Sequence, residues 1–106
     1  MEFEITPEEL RAKVEDGERP LLLDIREHWE YETAHIEGSG HIPMNELPSR
    51  VTEFNSGDYI VVVCHLGVRS AQVTEWLRQN GFDNVQSMSG GIDRWSRAVD
   101  PSVPTY

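Results

Sequence analysis

The chain has 106 residues, a length suited to one compact domain (1–106) and too short for separate cofactor and substrate domains. Nine Lys and Arg against nineteen Asp and Glu leave a formal net charge of −10, a field that repels phosphate backbones and anionic headgroups, so neither nucleic acid nor a membrane surface is expected as a partner. No apolar run approaches the roughly 18 residues of a membrane span, and the acidic opening MEFEITPEEL lacks the basic-then-apolar order of a secretory signal, which predicts a cytoplasmic protein.

Thr6, Pro7 and Glu9 predict a helix start, with Thr6 and Glu9 as a capping box and Pro7 in the first turn. Leu10 and Val14 mark its expected buried face and Gly17 its stop. Leu21 to Ile25 is a short apolar run suited to a strand covered on both faces. From Arg26 to Pro48 the chain is mixed and reads as too polar for core, with one short helix in REHWEYETAH and irregular backbone in GSGHIP. Pro48 is expected to open a short helix through Phe54, and Asn55 to Asp58 a turn into YIVVVC, Tyr59 to Cys64, the expected central strand. After the loop HLGVR, Ser70 to Asn80 carries Ala71, Val73, Trp76 and Leu77 at helical spacing before Gly81. Asn84 to Met88 reads as a strand, Ser89 to Gly91 as a turn, and Ile92 to Ala98 as a helix with Ile92 and Trp95 inward. The end, with Pro101 and Pro104, reads as a fraying or surface-hugging tail. Strands alternating with helices predict an α/β fold: an open, mainly parallel sheet with helices on both faces.

Cys64, the single cysteine, excludes an internal disulfide and any site needing several thiolates. It stands at the carboxyl end of the central strand, where open α/β sheets bind ligands and where the next helix offers free N–H groups and a positive dipole end. A lone cysteine at the end of an apolar strand is often only a small buried hydrophobe. The pattern Cys64-His65-Leu66-Gly67-Val68-Arg69-Ser70 points further, because a turn-permitting Gly67, a cation Arg69 and a candidate cap Ser70 follow at the spacing of a strand–loop–helix anion cradle. Arg69 has two readings, a donor for substrate oxyanions or a partner of Asp24, Glu27 or Glu30 that fixes the loop. His65 either tunes the sulfur and its acceptor or faces solvent. His28, His35 and His41 do not match a metal pair, so no metal is expected. Trp29, Trp76 and Trp95 read as packing anchors.

This loop resembles the C-x-x-G-x-R-S active loop of the rhodanese family of sulfurtransferases, and the resemblance covers nearly the whole chain. Asp24-Ile25-Arg26-Glu27 is similar to the family's D-x-R-E segment, His35-Ile36-Glu37-Gly38-Ser39 to its G-H-I-x-G-[AS], and Gly90-Gly91-Ile92 with Trp95 to its late G-G-x-x-x-W. Ala34 departs from the glycine common before that histidine, a change expected to alter only a turn. The resemblance implies a rhodanese-like fold and a cycle in which Cys64 takes the outer sulfur of thiosulfate or of a persulfide donor. Cyanide, a small thiol or a sulfur-carrier protein then accepts it, a cycle that needs neither a metal nor an organic cofactor, with Asp24 and Arg26 as supports and Arg26 placed to reach the active mouth from the strand end. Related phosphatases and arsenate reductases use C-x5-R, one residue longer than Cys64 through Arg69 here, and a shorter ring suits a sulfur atom better than a tetrahedral oxyanion. A noncatalytic rhodanese-homology binding module is the third reading, against which the retained Cys64 argues.

Overall fold

A computed structural model describes every residue from Met1 to Tyr106. Its centre is a sheet of five parallel strands, β1 (Glu4–Ile5), β2 (Leu21–Asp24), β3 (Gly40–His41), β4 (Ile60–Val63) and β5 (Val85–Met88), in the order β1-β5-β4-β2-β3. The expected central strand is central: β4 pairs with β2 from Leu21↔Ile60 to Asp24↔Val63 and with β5 from Ile60↔Val85 to Val62↔Ser87. All four β4 residues are buried, as a strand covered on both faces requires.

Side chains alternate across the sheet and feed two cores. One gathers Leu23, Ile60 and Val62 with Val73 and Leu77 of α4 (Val68–Gln79) and Leu47 of α3 (Leu47–Arg50). The other gathers Val61, Val63 and Met88 with Leu10 of α1 (Pro7–Glu15) and Ile92 of α5 (Gly91–Ala98). No helix is long and apolar enough to cross a membrane.

The Thr6–Glu9 capping box and Pro7 start α1 as expected, but Val14 lies 42% exposed, because the short helix meets the sheet mainly through Pro7 and Leu10. The polar-looking stretch before Pro48 supplies core after all: Ala34, Ile36, Ile42 and Leu47 are buried, and Arg26 and Glu30 are buried with them through paired hydrogen bonds. Within it α2 spans His28–Thr33. The helix expected from Pro48 to Phe54 begins at Leu47, ends at Arg50 and continues as a 3₁₀ turn, Val51–Glu53. Trp76 and Trp95 pack against the two cores, whereas Trp29 is 61% exposed and anchors neither. Ala34 adopts ordinary extended backbone, φ −164° and ψ 139°, so no glycine is needed there. The tail packs back: Val103 enters the second core, and Tyr106 reaches the end of the sheet that carries Cys64.

Candidate active site

β4 delivers Cys64 to the sheet's carboxyl edge, and the loop His65–Gly67 turns directly into α4. The turn depends on Gly67, which has φ +104° and is the residue before the helix; a Cβ there would also sit 3.1 Å from the Gly90 nitrogen. α4 therefore starts at Val68, and Ser70 is not the cap: its hydroxyl lies inside the first turn, 3.1 Å from the Gly67 carbonyl oxygen. The Gly90-Gly91 step braces the loop from the other side. Ile92 N donates to the Cys64 carbonyl at 2.8 Å and Asp93 N to that of His65 at 3.2 Å, and a Cβ on Gly91 would fall 2.3 Å from the latter oxygen.

The sulfur of Cys64 is the focus of this frame. It accepts hydrogen bonds from the Gly67 amide at 3.1 Å and the Ser70 amide at 3.2 Å, and its thiol donates to Ser70 Oγ at 3.3 Å. First-turn amides have no partner within their helix, and two of these donors converge on one atom. Cys64 is only 1% exposed, and the opening above it, about 130 Å³, is lined by Cys64, His65, Leu66, Val68 and Arg69. Leu66 and Val68 are exposed apolar side chains on its rim. A larger apolar groove of about 350 Å³ lies between α3 and α4, away from the loop's sulfur.

Around the cradle, two arginines have separate partners. Arg69 donates Nη1 to Glu30 Oε1 at 2.7 Å and Nη2 to Oε2 at 2.9 Å, which selects Glu30 among its expected partners. Glu30 also accepts from Tyr106 Oη at 2.7 Å and from the Glu27 amide at 3.0 Å. With those four donors, Arg69 foremost, its carboxyl is held down at about 2 despite burial, and the same pairing raises Arg69. Arg26 does not reach the mouth. It is fully buried, and its five N–H groups go to Asp24, Ala34, Glu30 and Tyr106, so Asp24 and Arg26 tie β2 to α2 and the tail. His65 neither touches the sulfur nor swings in solvent; its ring stacks on Tyr106 at 4.1 Å, and Nε2 lies 3.0 Å from the Tyr106 carbonyl oxygen.

Sequence reasoning did not find Tyr106, which hides in a Pro-containing tail without periodicity, or Ser87, a polar residue in a strand. Burial of the Tyr106 ring, and then its bond to Glu30, push its hydroxyl up to about 12.

This geometry stands beside a match over residues 6–98 to the rhodanese-like domain. The chain belongs to the rhodanese-like domain family. It is 39% identical over 93 residues to the putative sulfur carrier protein YrkF of Bacillus subtilis, covering 88% of this chain and 50% of that protein. To adenylyltransferase and sulfurtransferase MOCS3-1 of Zea mays it is 34% identical over 109 residues, covering 96% of this chain and 23% of the maize protein. The chain thus spans half or less of the length of these curated relatives. A crystal structure of a rhodanese-like domain protein from Staphylococcus aureus superposes with a TM-score of 0.86 at 30% identity, covering 99% of both chains. The rhodanese-like fold accounts for the parallel sheet with helices on both faces.

Proposed function

We propose that this chain moves a sulfane sulfur from thiosulfate or a persulfide donor to a thiophilic acceptor through a persulfide on Cys64. The observation that carries the reading is the convergence of the Gly67 and Ser70 amides on Cys64 Sγ, at 3.1 and 3.2 Å. Such donors favour a sulfur anion before and after the transfer, when charge sits on the thiolate or on the persulfide. In the first half-reaction the Cys64 thiolate attacks the outer sulfur of thiosulfate; the new S–S bond forms as the donor's S–S bond breaks, and sulfite leaves with that bond's electron pair. In the second, an acceptor such as cyanide or a thiolate attacks the outer sulfur and the Cys64 thiolate is released. A sulfur-carrier protein is the macromolecular acceptor in this reading, and a relative named as a putative sulfur carrier protein is consistent with it.

No proton relay or metal is required by this balance. Arg69, one third exposed at the mouth, supplies the nearest fixed cation for an incoming sulfonate even while Glu30 holds it. The loop from Cys64 through Arg69, one residue shorter than the C-x5-R ring of related phosphatases and arsenate reductases, supports a ring closed around a single sulfur atom over one that encloses a tetrahedral phosphate or arsenate.

The test is intact mass after incubation with thiosulfate. The wild type gains one sulfur atom, and Cys64→Ser shows neither this adduct nor thiosulfate:cyanide transfer, because a serine hydroxyl does not carry transferable sulfur. An unmodified wild type that still binds partners through this face would favour a noncatalytic module, and activity surviving in Cys64→Ser would end the proposal.

A further inference from the structure

Behind the cradle, on the side away from the opening, lies a second hydroxyl that the transfer cycle does not use. Ser87 sits in β5, is fully buried, and its Oγ lies 2.8 Å from Ser70 Oγ, its one hydrogen-bond neighbour. Donor counting fixes the direction of that bond. A serine hydroxyl has a single proton, and leaving a buried O–H without an acceptor is costly. For Ser87 the acceptor within reach is Ser70 Oγ, so Ser87 donates and Ser70 accepts.

Ser70 then keeps its own proton for one of two acceptors: the Gly67 carbonyl oxygen at 3.1 Å or Cys64 Sγ at 3.3 Å. With Cys64 as a thiol, S–H donates to Ser70 Oγ and Ser70 donates to Gly67, so every proton has a partner. With Cys64 ionised, the sulfur has no proton to give and attracts one, and a short rotation about the Ser70 Cβ–Oγ bond turns its O–H from Gly67 to the sulfur. The Gly67 carbonyl is not orphaned by that turn, because the Ala71 amide also donates to it at 3.3 Å.

We propose that Ser87 is a positioning residue for the cysteine site: it holds Ser70 as an acceptor on one side, so that the Ser70 hydroxyl becomes a third donor to the Cys64 sulfur anion. The chain Ser87 to Ser70 to sulfur is directional, and hydrogen bonds in such a chain reinforce one another most when the terminal acceptor is charged. Ser87 therefore stabilises the anion more than the thiol without touching the sulfur. This inference rests on Cys64 being the reactive sulfur, but its test does not require sulfur transfer.

The measurement is the pH midpoint of thiolate formation, followed by far-ultraviolet thiolate absorbance and by the pH dependence of iodoacetamide alkylation; with one cysteine in the chain, both report Cys64. Wild type, Ser70→Ala, Ser87→Ala and the double variant are compared, each change removing one oxygen atom, with thermal unfolding confirming that they fold. Below the midpoint, the thiolate fraction is expected to fall about tenfold in Ser70→Ala, the scale of one hydrogen bond to a charged group, and about two- to threefold in Ser87→Ala, the scale of one cooperative neighbour. In the Ser70→Ala background the Ser87 substitution should then change nothing. A Ser87→Ala midpoint equal to wild type, or a Ser87 effect that persists without the Ser70 hydroxyl, overturns the proposal. Absence of a thiosulfate adduct with the predicted midpoints intact would instead count against the sulfurtransferase reading.

Discussion

Two arginine–carboxylate pairs flank the carboxyl edge of the sheet, alike in chemistry and different in depth. In Arg26–Asp24 the side chains are 0% and 1% exposed; in Arg69–Glu30 they are 33% and 5% exposed. Arg26 spends all its donors on β2, α2, Ala34 and the tail, so its charge is consumed by architecture. Arg69 spends its two terminal nitrogens on one carboxylate and keeps an exposed side at the opening over Cys64. Glu30 links them, giving its carbonyl to Arg26 and its carboxylate to Arg69. Burial, more than residue type, separates the arginine that builds the fold from the arginine that is available at its mouth.

The comparison breaks most easily at Arg26. Arg26→Met leaves Asp24 buried without its counter-charge, and removing one partner of a buried pair costs about 3 to 5 kcal/mol, a large share of the roughly 5 to 15 kcal/mol of a typical domain. Urea unfolding checks this, and a loss below about 1 kcal/mol would mean that the two pairs do not differ in kind.

Arg69→Met is expected to cost less, about 2 kcal/mol, since a partly exposed guanidinium is screened by water. It should also lower kcat/KM for thiosulfate if Arg69 meets the donor's oxygens. The pair has a pH signature. Glu30 titrates at about 2 in the native state and near 4.3 as an unfolded glutamate, so the unfolded chain binds the proton first. Its stabilising contribution is complete above about pH 4.3 and is lost as pH falls toward 2. Unfolding measured across that range should give a steeper acid limb for wild type than for Arg69→Met; superimposable limbs would show that the pair contributes nothing to stability.

The smallest change sharpens the link between the pairs. Tyr106→Phe keeps the ring on His65 but removes the hydroxyl that accepts from Arg26 at 2.8 Å and donates to Glu30 at 2.7 Å. A loss of about 1 kcal/mol in thermal or urea unfolding is expected, and none would mean that the hydroxyl's two bonds add nothing net to stability and do not couple the pairs.

Periodicity read the layered α/β fold well where apolar residues recur at strand or helix spacing, as in Ile60 to Val63 and in Val73 with Leu77. It failed where burial is achieved by pairing polar groups. Arg26 and Glu30 look like surface residues in REHWEYETAH, and only the convergence of four chain segments shows that their charges are satisfied. The two-residue strands Glu4–Ile5 and Gly40–His41 were also invisible, being too short for any alternation to register and defined by their neighbours alone.

By itself the sequence determined that a cysteine would stand at the end of a buried strand, with Gly67 free to turn the loop and a cation close behind, because local backbone preference and short spacing decide those features. Tertiary structure decided which carboxylate holds Arg69, that Tyr106 returns to His65, and that Ser87 backs Ser70. Each of these joins residues at least 17 positions apart. Such contacts arise from how the sheet orders its strands, and no local propensity encodes that order.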